Sequence, residues 1–279
     1  MELQKDGCDY YRCHKCTFLF HRRGFGASSL GHAIDEHYDS EYWANEESEA
    51  RRREEEDSLN RALELIFMSS IPVKKILDFG CGLGLTVQKL RDIFNIDAMG
   101  VDRFGRFEEK PHLLKCDVDQ LLQRVGPEYF DAIYSIEVFE HLENPRAVLK
   151  ELASLLKPGG KLLINTMTWE AIQRFDPDYS YIDPLRRGHI SIWSLKSLSA
   201  LGSQLGLHAS FMAARMYAVI LIKGPEGKPW APENRDLFRR VGSWYPQLMQ
   251  EYLRLMFVEQ EFEQKGDYIR RLKSMLNIE

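Results

Sequence analysis

Gly80, Gly82 and Gly84 alternate with Cys81 and Leu83 directly after the apolar run Lys75-Ile76-Leu77-Asp78-Phe79. Residues without a Cβ let the chain turn sharply and let a ligand approach the backbone closely. The run reads as a buried strand and residues 83–90 as the helix that follows. A strand that turns into a helix in this way leaves bare N–H groups at the helix start, where a cofactor can bind. Asp102 stands at the end of the next apolar run, residues 96–101. An acid at a second strand end, about 20 residues after such glycines, can hold both hydroxyls of a ribose. His141 and His189 are the best proton acceptors the chain offers near neutral pH. Glu137, Glu140 and His141 form an E-x-x-E-H cluster.

The elements that must carry these groups alternate. A short strand over residues 112–114 runs into Lys115-Cys116-Asp117-Val118. The apolar segment from Phe130 to Ile136 runs out into the acidic loop with Glu137 and His141. A helix stops at Lys157-Pro158, turns at Gly159-Gly160 and enters a strand over residues 161–166. Strands alternating with helices imply an open α/β sheet. The glycine spacing departs from the G-x-G-x-x-G fingerprint of nicotinamide enzymes and so disfavours an oxidoreductase.

On the motifs DFGCGLG, the strand-end Asp102, CDVD, FDAIYSIEVFEHL and LKPGGKLLI, the chain resembles class I S-adenosylmethionine (SAM) dependent methyltransferases. The likeness is to the broad group that includes ubiquinone-biosynthesis and other small-molecule methyltransferases, and it covers about residues 60–223. It implies an α/β fold: a Rossmann-like seven-stranded sheet with helices on both faces. It implies that Asp78, Gly80, Gly82 and Gly84 form the methionine end of a SAM site and that Asp102 takes the ribose. Asp117 and the Val118 amide would meet the adenine, with Ser135 and Ile136 flanking the amino-acid end. His189 and His141 become the catalytic candidates, against the plainer roles of loop packing and helix capping. Residues 167–189, rich in aromatics, would form the acceptor wall, with Trp169 and Tyr181 facing a planar acceptor. A divalent metal has been invoked at a similar E-x-x-E-H cluster in quinone O-methyltransferases. Carboxylates near a turn are commonly just solvated, so no metal is assigned. Oxygen, nitrogen and carbon acceptors stay open, as does a non-catalytic scaffold that binds SAM.

Composition agrees with a globular enzyme: 279 residues, 44% hydrophobic and 28% charged, with a formal net charge of −5. The acidic balance argues against nucleic acid as a partner. No apolar run reaches bilayer length, and the N-terminus lacks a secretion signal, so the expected location is cytoplasmic. Residues 1–45 form a Cys-containing segment and pocket cap, 46–223 the methyltransferase domain, and 224–279 a helical extension suited to a homodimer. Residues 46–68 read as one helix with an apolar stripe, its Arg51-Arg52-Arg53-Glu54-Glu55-Glu56-Asp57 run forming a solvated, ion-paired face. Cys13 and Cys16 make half a zinc site, with Cys8, His14 or His21 as further ligands. Zinc is admitted by these residues but not favoured over a degenerate ribbon.

Overall fold

The computed structural model describes residues 2–21, 40–67, 73–185, 187–211 and 217–224. The chain divides into two compact units, Met1–Pro229 and Trp230–Glu279. The second, with the helices expected over residues 234–276, lies outside the described residues.

Seven strands form the main sheet: β4 (Lys75–Phe79), β5 (Asp97–Val101), β6 (Leu113–Leu114), β7 (Phe130–Ile136), β8 (Leu156–Asn165), β10 (Leu207–Phe211) and β11 (Ala218–Lys223). Their order is β10-β11-β8-β7-β4-β5-β6. β4, β5, β6, β7 and β8 pair in parallel. β11 runs antiparallel to both β8 and β10. Parallel strands are covered on both faces, which is why β4 and β7 are buried along most of their length rather than at alternate residues. Leu77, Ile133, Leu152, Leu162 and Ile164, all without exposure, sit in one core with Val219 and Leu221. From β4 the chain moves outward to β5 and β6, then crosses back to β7 on the other side. Ligands in open α/β sheets bind at such a reversal, outside the carboxyl ends of the strands.

Two elements differ from expectation. β8 begins at Leu156, not residue 161, because Lys157-Pro158-Gly159-Gly160 is taken into the strand as an irregularity between the pairs Phe130↔Leu156 and Ala132↔Lys161. The Asp131 carboxylate pins this edge, accepting from Lys157 Nζ at 2.6 Å and from the amides of Lys74 and Lys75. The helix expected over 46–68 is helical from Ser40–Arg53 and again over Leu59–Phe67, with a π-helical turn at Glu54–Ser58 between them. A π-turn widens the coil locally and shifts the faces on either side of it, often at functional positions. Here it turns Glu54 inward, while Arg52 stays outside and pairs with Glu49, Glu56 and Asp57.

A second, antiparallel sheet contains β1 (Leu3–Lys5), β2 (Cys8–Arg12), β3 (Leu19–His21) and β9 (Ser191–Ile192), in that order. β3 pairs with β9 through Leu19↔Ile192 and Phe20↔Ser191. The first 21 residues therefore complete a sheet with a strand from far along the chain. Between them they bury Tyr10, Leu19, Trp169, Ile172, Tyr181, Ile182 and Ile192 in a core of their own.

Candidate active site

A cavity of about 440 Å³ opens at the carboxyl ends of β4, β5 and β7. Its floor is the turn after β4. Gly80 has φ +83°, and a Cβ there would lie 2.2 Å from Val138 Cγ2; a Cβ on Gly82, at φ +55°, would lie 2.5 Å from Glu54 Oε1. Val138 and Glu54 pack against these glycines, and all four line the cavity.

The loop's amides are all used. Gly80 and Cys81 donate to Val101 O, and Gly84 donates to Cys81 O. Gly82 N donates to Asp102 Oδ2 at 2.9 Å, and Phe104 N to Asp102 Oδ1 at 2.8 Å. Leu83 and Leu85 donate to the two oxygens of Glu54, at 2.6 and 2.8 Å. The bare N–H groups expected here are thus absent from Gly80 to Leu85. What faces the cavity is acceptor chemistry: the carboxyls of Glu54 and Asp102. Burial pushes Glu54 up to about 7, against the pull of the Leu83 and Leu85 amides. Burial likewise raises Asp102, although the amides of Gly82, Phe104 and Gly105 pull the other way.

The opposite wall follows β7. Glu137 holds φ +54°, a conformation that side chains rarely adopt and that tends to persist where surroundings enforce it. Asn165 Nδ2 donates to Glu137 Oε1, and Arg61 Nε donates to Asn165 Oδ1. The Tyr181 hydroxyl lies 2.9 Å from Glu137 Oε2 and 2.5 Å from Glu140 Oε1. A phenol has one proton, so it cannot donate to both carboxyls at once. Burial and the neighbouring Glu140 raise Glu137 to about 8, which keeps a proton on this pair. Burial lowers His141 to about 4, leaving it a neutral acceptor. Burial, and His141 beside it, drive His189 well below its ordinary range.

Of the expected cofactor residues, Gly80, Gly82, Asp102, Asp117, Val118 and Ile136 line the cavity. Three do not. Asp78 lies inside the sheet under the loop, accepting from Tyr134 OH at 2.8 Å, its pKa raised well above the ordinary value by burial. Gly84 precedes the helix Leu85–Asp92 and closes on Leu113. Ser135 is fully buried within β7, since alternate strand residues face opposite sides of the sheet. Asp117 also caps the helix Val118–Val125 in a box with Gln120.

The acceptor side needs a larger correction. His141 lines the cavity but His189 does not; it sits behind, ring centroids 4.9 Å apart, its Nδ1 on Tyr181 O. No described residue of 167–189 lines the cavity, because Trp169 and Tyr181 are spent on the core beneath the N-terminal sheet. The cavity is lined instead by Arg53, Glu137, Val138, His141, Leu142 and Glu143 among others. Glu54 and Arg53 were not anticipated: their charge run carries only the signal of a solvated face.

Among the described residues, Glu140, His141 and His189 are the one group of three whose ligand atoms lie within 4.8 Å of one another. Both histidines turn Nδ1 to a carbonyl, of Gly188 and Tyr181, which fixes the orientation of each ring. Glu140 Oε2 is buried without a hydrogen bond. These donors fit a divalent cation, with His189 in the place that sequence gave to Glu137. Cys13 and Cys16 sit at the β2–β3 turn and join no such group.

The strand order and the glycine cradle define a Rossmann-like cofactor-binding fold of the methyltransferase type. The chain belongs to the methyltransferase-domain family, whose model matches residues 47–209, more than half of it. It is 33% identical over 113 residues to the ubiquinone biosynthesis O-methyltransferase of Dechloromonas aromatica, covering 35% of this chain and 46% of that one. It is also 33% identical over 102 residues to phosphoethanolamine N-methyltransferase 3 of Arabidopsis thaliana, covering 33% of this chain and 21% of that protein. The matches span less than half the length of these curated relatives. Among solved structures, the plantazolicin methyltransferase BpumL in complex with SAH superposes with a TM-score of 0.51 at 16% identity, over 73% of this chain and 95% of that one. That likeness is one of fold. Among the described residues, no helix is long and apolar enough to cross a membrane.

Proposed function

We propose that the chain is a cytoplasmic enzyme that transfers a methyl group from SAM to a small molecule bearing an ionisable O–H. Asp102 carries this reading: it stands at the end of β5, at the edge of the cradle, with its carboxyl oriented by the amides of Gly82 and Phe104. SAM, when bound, supplies a methyl group on a sulfonium leaving group. Gly80 and Gly82 give it close backbone approach. Asp102 accepts the ribose hydroxyls, and Asp117 and Val118 border the adenine end. The chain's remaining task is to position the acceptor and remove its proton. His141, neutral and on the cavity wall, is the group that takes that proton. Glu137, largely protonated at neutral pH, holds Tyr181 and keeps the wall in place. A cation held by Glu140, His141 and His189 would instead polarise an acceptor oxygen, with His141 as its ligand rather than the proton acceptor.

Calorimetric titration with SAM, S-adenosylhomocysteine and NADH tests the cofactor. Binding of SAM and S-adenosylhomocysteine but not NADH is expected, and micromolar NADH binding with none for SAM overturns the proposal. Turnover against phenols, catechols and amines, read as S-adenosylhomocysteine formed, then ranks the acceptors.

A further inference from the structure

Helix N-termini behind glycine loops are ready anion sites, because their free amides and dipole favour negative charge. In this loop the protein supplies the anion itself. Glu54, from a π-helical turn 29 residues before Leu83, reaches across to take the amides of Leu83 and Leu85. Thr86 Oγ1 in turn donates to Glu54 O at 2.8 Å and fixes the segment on the helix Leu85–Asp92. Asp102 takes the amide of Gly82 beside it. Both carboxyls line the cavity.

We propose that Glu54 selects the cofactor by charge: as a built-in anion on the glycine loop it excludes phosphate-bearing cofactors and favours one that is cationic where it meets the loop. The inference rests on the SAM reading above. A pyrophosphate would find no free amide between Gly80 and Leu85 and would face two carboxyls. A ligand with a sulfonium and an ammonium would find acceptors.

The same arrangement couples binding to a proton. The groups that face Glu54 are Arg53 from its own helix, Asp78 and Cys81 from β4 and its loop, Asp102 from β5 and Tyr134 from β7. Lys89 reaches the neighbouring Glu55 carbonyl. Burial, with Asp102 and Asp78 against Arg53, keeps Glu54 partly protonated near neutral pH. A cationic ligand favours the carboxylate, so its entry drives the proton off. Glu54 is a positioning residue in this scheme, acting through the loop and its field.

The test is calorimetry of SAM binding to the full chain at pH 6, 7 and 8, each in two buffers of different ionisation enthalpy. With Glu54 near 7, affinity should rise about tenfold from pH 6 to pH 8, with fractional proton release at pH 7. Glu54→Gln places an amide donor against one of the two loop N–H groups. It should lose both the proton release and at least tenfold in affinity at pH 8. Any pH dependence left in that variant belongs to the other raised carboxyls of the cavity, Asp102 and Glu137. Glu54→Ala bares two amides, so inorganic pyrophosphate, silent with the wild type, should bind it at millimolar concentration. SAM binding to the wild type without proton release overturns the role of Glu54, and that measurement needs no variant to fold. Failure of pyrophosphate to bind Glu54→Ala overturns the exclusion. No SAM binding at any pH overturns the parent reading instead.

Discussion

Asp102 accepts the amides of Gly82 and Phe104 and still faces the cavity, so one carboxylate both shapes the cradle and serves the ligand. Hydrogen bonds to a charged group are worth about 1.5–3 kcal/mol each. Asp102→Ala should therefore weaken SAM binding at least tenfold in calorimetry, while the two orphaned amides lower Tm. Unchanged affinity would reduce this acid to a loop brace. The two histidines divide differently. His141→Ala should cost roughly 10²–10⁴ in kcat with an oxygen acceptor, the usual contribution of a proton acceptor. Because His141 protonates only near pH 4, the wild-type rate should show no acidic limb around pH 6.5 from this group. His189 lies behind it on Tyr181 O, so His189→Ala should lower stability by about 1–3 kcal/mol in urea unfolding. Its effect on kcat should stay below tenfold in the metal-free enzyme. The reverse ranking of the two variants would place the proton acceptor at His189.

Among the elements, the β3–β9 pairing carries the most consequence for the site. It fixes the segment that holds His189 and covers Tyr181, whose hydroxyl joins Glu137 to Glu140. Tyr10 OH donates to His189 O across the same interface. Leu19 is fully buried there against Ile192 and Trp169. Leu19→Ala should destabilise the chain by about 2–5 kcal/mol, the range for emptying a buried leucine site. Because the sheet braces Tyr181, whose hydrogen bond pulls Glu137 down, Glu137 should titrate higher in that variant. A loss under 1 kcal/mol in urea unfolding would mean that the N-terminal strands are an appendage rather than part of the core.

At the scale of the whole molecule, the buried titratable groups oppose one another. Glu137 is raised to about 8 and Glu54 to about 7. An unfolded glutamate titrates near ~4.3, so the folded state binds these protons more tightly. Their stabilising contribution is complete below that value and is lost as pH rises toward the folded values. His141 is depressed to about 4, so its contribution is present above ~6.5 and lost as pH falls. Tm should therefore fall between pH 6.5 and 8.5, where the contribution of His141 is complete and the raised carboxyls lose theirs. Glu137→Gln, neutral throughout, should flatten that slope in scanning calorimetry. A Tm that rises over this interval would show that the wall carries no proton.

The parallel strands, the glycine turn and the placing of Asp102 at a strand end follow from contiguous residues. Apolar runs long enough for buried strands, glycines that admit positive φ, and an acid next in line are local signals. They suffice to set the order of elements in an α/β sheet. Sequence alone therefore determined the fold class and brought the glycine turn and Asp102 to the cavity. Tertiary structure decided the rest, because it depends on residues that meet only after the chain has folded. Glu54 is indistinguishable by type from Glu55 and Glu56; the phase of a π-turn sends it inward to amides 29 residues away. Trp169, Tyr181 and His189 have the composition of a ligand wall. Strands from the other end of the chain claim the two aromatics for a core and hold the His189 carbonyl, which leaves the wall to His141 and Glu137.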